Sequence, residues 1–112
     1  MEKQFKQFER VYWVANEDKH YEILIAQVWD CLGDNLFEIL YNGRIYEVNI
    51  CSIFKQDQTG KEEAKSFANT VIEMAVETYK SWIADPKMTQ HQEYFKSVID
   101  EFRLVAERNN SL

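Results

Sequence analysis

Leu36-Phe37-Glu38-Ile39-Leu40-Tyr41-Asn42-Gly43-Arg44-Ile45-Tyr46-Glu47-Val48-Asn49-Ile50 is the stretch that decides the fold. Asn-Gly between two alternating apolar runs is the strongest short-range signal for a two-residue β-hairpin, because both turn residues need positive φ. With Asn42 and Gly43 as the loop, Tyr41 faces Arg44, Ile39 faces Tyr46 and Phe37 faces Val48. Phe37, Ile39, Tyr46 and Val48 then share one apolar face and belong to the core. On the other face Leu40 meets Ile45, Leu36 meets Asn49, and Glu38 meets Glu47. Two carboxylates directly across a strand pair repel, an arrangement that normally destabilises a sheet. Three readings compete. Both are solvated, with Arg44 or a lysine nearby taking up the repulsion, or they belong to an acidic docking surface for a basic partner. The third is a paired-carboxylate catalytic or metal site, for which nothing in the sequence suggests a cleft.

Upstream of the hairpin the sequence also reads as strands. Glu9 to Ala15 is rich in β-formers and ends in the polar loop Asn16 to His20. Tyr21 to Trp29 is apolar on both faces around Ile23 to Ile25, and Asp30 to Asn35 is a turn containing Gly33. The second hairpin strand is expected to run on through Cys51 to Phe54. Short connections throughout imply antiparallel neighbours.

Downstream the apolar period changes. Thr59-Gly-Lys-Glu62 reads as a capping box that opens a helix. Phe67, Ala68, Val71, Ile72, Ala75, Val76, Tyr79, Trp82 and Ile83 then recur at helical spacing and cover about half the circumference. Asp85-Pro86 ends the helix, since the residue before Pro is pushed out of the α region. A second helix, capped by Thr89, carries a narrower stripe of Phe95, Val98, Ile99, Phe102, Val105 and Ala106, with Leu104 on the opposite side. The expected organisation is one domain over residues 1–112, with strands over 8–55, a long helix over 59–85 and a second helix over 89–108. A helix from Gly60 to Ala84 would span roughly 37 Å, whereas a sheet unit of this size is only about 25 Å across. Part of the helical hairpin must therefore overhang, and a second copy of the chain is the simplest thing for it to pack on.

Composition narrows the function classes. Hydrophobic residues make up 46% of the chain and aromatics 14%, which argues for a folded globule. Net charge is −6, and between Glu17 and Glu47 seven acids face only two bases. Direct nucleic-acid binding, which relies on clustered Lys and Arg, is disfavoured. An acidic surface can instead attract a basic partner or occupy a groove built for nucleic acid. Tyr12, Trp13, Tyr21, Trp29 and Tyr46 lack interleaved bases, so they read as core, with one or two exposed rings marking a protein interface. No apolar run approaches the ~18 residues of a membrane span, and Met-Glu-Lys-Gln-Phe-Lys lacks a signal-peptide core. Cys31 and Cys51 have no disulfide or metal spacing. The expectation is a cytoplasmic protein without membrane contact.

No phosphate loop, dinucleotide fingerprint, zinc motif or nucleophile elbow is present. Glu17, Asp18, His20 and Glu22 could gather around a metal, but adjacent loop charges of this kind are usually just solvated. His91 stands alone near the start of the last helix. We therefore expect no enzyme, no catalytic residues, no metal and no cofactor.

The succession Val11-Tyr-Trp-Val, Tyr21 to Trp29, Leu36 to Tyr41, Ile45 to Phe54, then Lys61-Glu-Glu-Ala64 opening a helix, resembles small uncharacterised phage and bacterial proteins. In those, short strands form an SH3-like barrel, and the last strand leads through an Ile-Phe, here Ile53-Phe54, into the helix. The resemblance implies a mobile-element origin and supplies no catalytic residues. Only Gly33 and Gly43 offer sharp bends in the strand region, so an open curled sheet fits the residues equally well. The expected fold class is α+β: a four-stranded, antiparallel, strongly curled sheet or SH3-like barrel, followed by a C-terminal antiparallel helical hairpin.

The functional expectation is a non-enzymatic protein-binding module, most concretely a small acidic inhibitor of a host nucleic-acid-handling protein. Glu17, Asp18, Glu22, Glu38 and Glu47 are the candidate partner-binding residues, engaging a basic surface. The alternative is a homo-oligomeric structural or regulatory protein joined through its helical hairpin.

Overall fold

The computed structural model describes residues 4–112, apart from the side chain of Glu17. Five strands, β1 (Arg10–Val14), β2 (Ile23–Cys31), β3 (Leu36–Tyr41), β4 (Arg44–Asn49) and β5 (Ile53–Lys55), precede two helices, α1 (Gln58–Ala84) and α2 (Gln92–Asn110). All neighbours are antiparallel, in the order β4-β3-β2-β1-β5, and the sheet does not close. Asn42 and Gly43 adopt φ of 52° and 78°, as the two-residue turn demands. The β3–β4 register places Glu38 opposite Glu47 and Phe37 opposite Val48, as the hairpin reading requires.

The count of four strands is corrected to five. Ile45 to Phe54 does not run as one strand, because Ile50–Ser52 forms a 3₁₀ turn. Asn49 caps that turn, its Oδ1 accepting from the Cys51 N–H at 2.9 Å, while the Ser52 hydroxyl donates to the Asn49 carbonyl. The chain is thereby turned off the β4 edge and re-enters as β5 at the opposite edge, beside β1.

One face of the sheet buries Val11, Trp13, Ala26, Val28, Phe37, Ile39, Val48 and Ile53. No residue of α1 or α2 joins this cluster, so its cover comes from the strands themselves and from Phe5 and Ile50. On the other face the first half of α1 covers β1, β5 and the start of β2, with Ala64 and Ala68 against Tyr12, Val14, Ile23 and Phe54. At about 1.5–3 kcal/mol per large apolar side chain buried, these two layers supply most of the sheet's stability. The second half of α1 packs on α2 through Ile72, Val76, Ile99, Phe102 and Val105. Tyr21 alone joins that cluster from the strand half. The hairpin thus overhangs the sheet, and the molecule measures 49 × 27 × 26 Å.

Both helix starts differ from expectation. Asp57 rather than Thr59 caps α1, its Oδ1 accepting from the Gly60 N–H at 2.7 Å. Gly60 is buried against the Lys55 backbone, and a Cβ there would overlap the Lys55 carbonyl. This close approach of α1 to β5 sets where the helix begins. Thr89 caps nothing: Pro86–His91 forms a 3₁₀ segment with a kink at Met88, capped by Asp85. The Gln92 amide then donates to the Ile83 carbonyl at 2.9 Å, tying the start of α2 to the end of α1.

The far end of α2 is anchored to the sheet. Buried Asn109 accepts from the Ile23 N–H at 2.8 Å and donates to the Tyr21 carbonyl at 3.1 Å. Tyr21 stacks on Phe102, and His20 and Tyr21 both carry positive φ (56° and 60°). No helix among the described residues is long and apolar enough to cross a membrane.

Candidate functional site

The hairpin register brings Glu38 and Glu47 together on the outer face of β3 and β4. This is the same sheet face that α1 packs on, but beyond the part over β1 and β5 that it covers. A type I′ turn makes Tyr41–Arg44 a hydrogen-bonded pair, and pairs alternate from there. Glu38–Glu47 is therefore a non-hydrogen-bonded pair, the closer kind, with Cα atoms about 4.5 Å apart. Glu47 is exposed and Glu38 half-buried.

A third carboxylate completes a row. In β2 the pairing shifts between Val28 and Asp30, so that Val28 faces Ile39 while Asp30 faces Glu38. Trp29 is the extra residue. Regular alternation would have put Asp30 on the same face as buried Val28; the bulge moves it to the outer face. Asp30, Glu38 and Glu47 thus line up across three strands over roughly 10 Å. Among the described residues no ion pair engages any of the three. Asp30 Oδ1 accepts only the neighbouring Cys31 N–H, at 2.8 Å.

Apolar side chains flank the row. Leu40 and Ile45 lie on one side and Leu36 on the other, with Ile45 44% and Leu36 37% exposed. Trp29 is 42% exposed and meets Phe8 edge-on. Tyr12 and Trp13, by contrast, are buried, as expected of core aromatics. The outer face of β2–β4 therefore combines a row of three carboxylates with exposed aliphatic and aromatic surface.

The other expected partner-binding residues do not join it. Glu22 precedes β2, and Asp30 lies eight residues further along, about 26 Å away on an extended strand. Glu22 is instead paired with Arg108 at 3.4 Å, beside the Asn109 anchor. Asp18 lies in a 3₁₀ turn and lines a shallow cavity with His20, Tyr79, Tyr94, Val98 and Phe102, on the helical side. The Glu17 side chain lies outside the described residues. The five candidates therefore do not form one surface: Glu38 and Glu47 share one with Asp30, while Asp18 and Glu22 sit at the other end of β2. The face that Asp30 occupies depends on the bulge, which no residue pattern announces.

Cys31 and Cys51, both free and exposed, line a cavity of about 840 Å³. Its lining contains no histidine to serve as a base, and the Cys31 thiol donates to the Gly33 carbonyl at 3.2 Å. Among the described residues no group of three or more His, Cys, Asp or Glu is placed to hold a metal ion. Elsewhere, Glu9 accepts from the Lys55 ammonium at 2.8 Å and from the Lys6 N–H. Burial pushes its carboxyl up, but those hydrogen bonds and the charges of Lys55 and Lys6 outweigh burial and hold it below its ordinary value.

Compared with protein-family models, curated proteins and solved structures, the chain matches none.

Proposed function

We propose that this chain is a non-enzymatic protein-binding module whose acidic sheet face docks on a basic protein surface. Its most concrete form is a small phage or mobile-element inhibitor that occupies the nucleic-acid groove of a host defence or nucleic-acid-handling protein. The row Asp30–Glu38–Glu47 carries the reading. Three carboxylates adjacent across strands, none in an ion pair among the described residues and flanked by exposed Leu36 and Ile45, weaken the free sheet and favour a cationic partner. The strand half is read as an opened SH3-like barrel. Support comes from the helix-free cluster built from all five strands and from the last strand returning beside the first.

The test uses parallel capture from the native host on immobilised wild-type and Glu38→Lys/Glu47→Lys chains. A nucleic-acid-handling protein retained only by the wild type, and released by salt and by competing DNA, is the expected result. Equal retention on both chains, or elution insensitive to salt, would sink the reading.

A second reading, self-assembly through the helices, has its own observation. Val71, Met74, Ala75, Thr78 and Trp82 line a shallow cavity of about 370 Å³ along α1, and Met74 is 65% exposed. Light scattering discriminates: assembly predicts a mass that rises with concentration and falls back for Met74→Lys.

A further inference from the structure

The acidic row ends at an open sheet edge. β4 pairs with β3 on one side and, among the described residues, with no strand on the other. The alternation that starts at Tyr41–Arg44 directs the N–H and C=O groups of Arg44, Tyr46 and Val48 toward β3. Those of Ile45 and Glu47 point outward, giving two donors and two acceptors at the spacing of a strand ladder. β4 contains no proline, lysine or bulge; the devices that protect its edge are the charges of Arg44 and Glu47. A segment of opposite charge would turn that of Glu47 into an attraction.

We infer that the partner segment binds by adding an extended strand to the outer edge of β4, with a basic residue opposite Glu47 and an aliphatic one opposite Ile45. This rests on the acidic docking reading and specifies how it is achieved. An added strand would lie about 4.8 Å beyond β4. Its residues opposite Ile45 and Glu47 would project from the same outer face as those side chains. A lysine or arginine facing Glu47 would then extend the row Asp30–Glu38–Glu47 by one position of opposite sign. All three carboxylates fall within about 15 Å of it, and the nearest two within one Debye length. The residue between the two would lie on the inner face next to half-buried Tyr46, where a small or β-branched side chain fits.

Charge also selects against the other obvious occupant, the same edge of a second copy. Edge-to-edge pairing of two β4 strands would bring two rows of three carboxylates together, and like charges at such positions oppose pairing. The recognised element is therefore an extended basic segment with alternating Lys or Arg and aliphatic residues on one face, as in other cases of strand addition.

The probe is a synthetic peptide repeating Lys-Thr-Val-Thr, compared with a helix-forming peptide of equal charge, both titrated against the full chain. Amide hydrogen exchange is expected to slow at least tenfold at Ile45 and Glu47 on adding the extended peptide. Arg44, Tyr46 and Val48, already in the β3 ladder, should change little. Glu47→Thr removes the charge and keeps the N–H, whereas Glu47→Pro removes both without touching a bond to β3. Binding should weaken severalfold for Glu47→Thr and at least another tenfold for Glu47→Pro. Equal weakening by the two variants, equal binding of the helical peptide, or no protection at Ile45 and Glu47 would overturn strand addition while leaving the acidic surface intact. Failure of both peptides to bind, or binding indifferent to salt and to Glu47→Thr, would overturn the strand and the acidic reading together. Exchange in the wild-type chain decides the matter even if Glu47→Pro does not fold.

Discussion

Asn109, near the end of α2, and Ile23, the first residue of β2, are joined by a buried 2.8 Å hydrogen bond across 86 positions of sequence. With the second bond to the Tyr21 carbonyl, it is the chief polar tie between the helical hairpin and the sheet. Asn109 is the only buried polar residue in the core of the described chain, at 1% exposure. Its amide meets one donor and one acceptor at once while carrying no charge.

Replacing Asn109 by Ala or Leu strands the buried Ile23 N–H and removes the bond to the Tyr21 carbonyl. The expected cost is about 2–4 kcal/mol, read as a lower midpoint in urea unfolding. Asn109→Asp keeps the acceptor but sets a carboxylate against the Tyr21 carbonyl. It should be as destabilising at neutral pH and recover part of the loss in acid, where the protonated carboxyl can donate. An unchanged midpoint for Asn109→Leu would show that the tie carries no stability.

Gly60→Ala should destabilise, against the usual direction. In an exposed helix interior that change gains about 1 kcal/mol from propensity. Here the new Cβ would overlap the Lys55 carbonyl, so α1 must lift from β5. A loss of about 1–3 kcal/mol is expected, as for other overpacked sites. Thermal unfolding of the variant checks the sign.

Neutralising one member of the cross-strand pair should do the opposite. Glu38→Gln or Glu47→Thr removes the like-charge contact and is expected to stabilise the free protein by about 0.2–1 kcal/mol. Salt should raise the stability of the wild type and narrow its gap to either variant. A fold made more stable while partner binding weakens is the signature of a surface kept for function. If both variants are less stable at low salt, the repulsion is not there.

Stability should carry an acid-side contribution from Glu9. Its carboxyl is held below the ordinary 4.5 in the folded chain, so the contribution is complete above that value. It is lost as pH falls from there through the lower folded value. The stability difference between wild type and Glu9→Gln should therefore shrink across that window and stay flat above it. Both side chains are partly exposed, at 43% for Lys55 and 24% for Glu9, so the effect should stay below about 1 kcal/mol. Paired pH titrations of the unfolding midpoint give the answer.

What could be read from the residues was local. Asn42-Gly43 determines its own turn, so the Glu38–Glu47 pairing and the core positions of Phe37, Ile39 and Val48 followed from two residues and strict alternation. The long helix was equally readable, because its stripe repeats over many turns and Pro86 marks the stop. Features that depend on distant partners were not. β5 became a separate strand because β1 was available to pair with it at the other edge. Asp30 reached the acidic row only through an extra residue in β2, which inverts the faces of everything beyond it. Asp18 and Glu22 are close to Glu38 in sequence but not in space, since β2 carries the chain away from them before it turns. Thr59 reads as the cap in the sequence, but Asp57 caps α1, because the fit of Gly60 against Lys55 fixes where the helix begins.

The 49 Å length separates the two proposed contact surfaces. The acidic strands lie at one end and the free flank of α1 extends toward the other, with the Asn109 anchor between them. Engagement at one end leaves the other unobstructed, so grip on a target and pairing of copies need not compete. A pair joined along α1 would present two acidic edges, and a target offering two basic segments would be held with avidity greater than either contact provides.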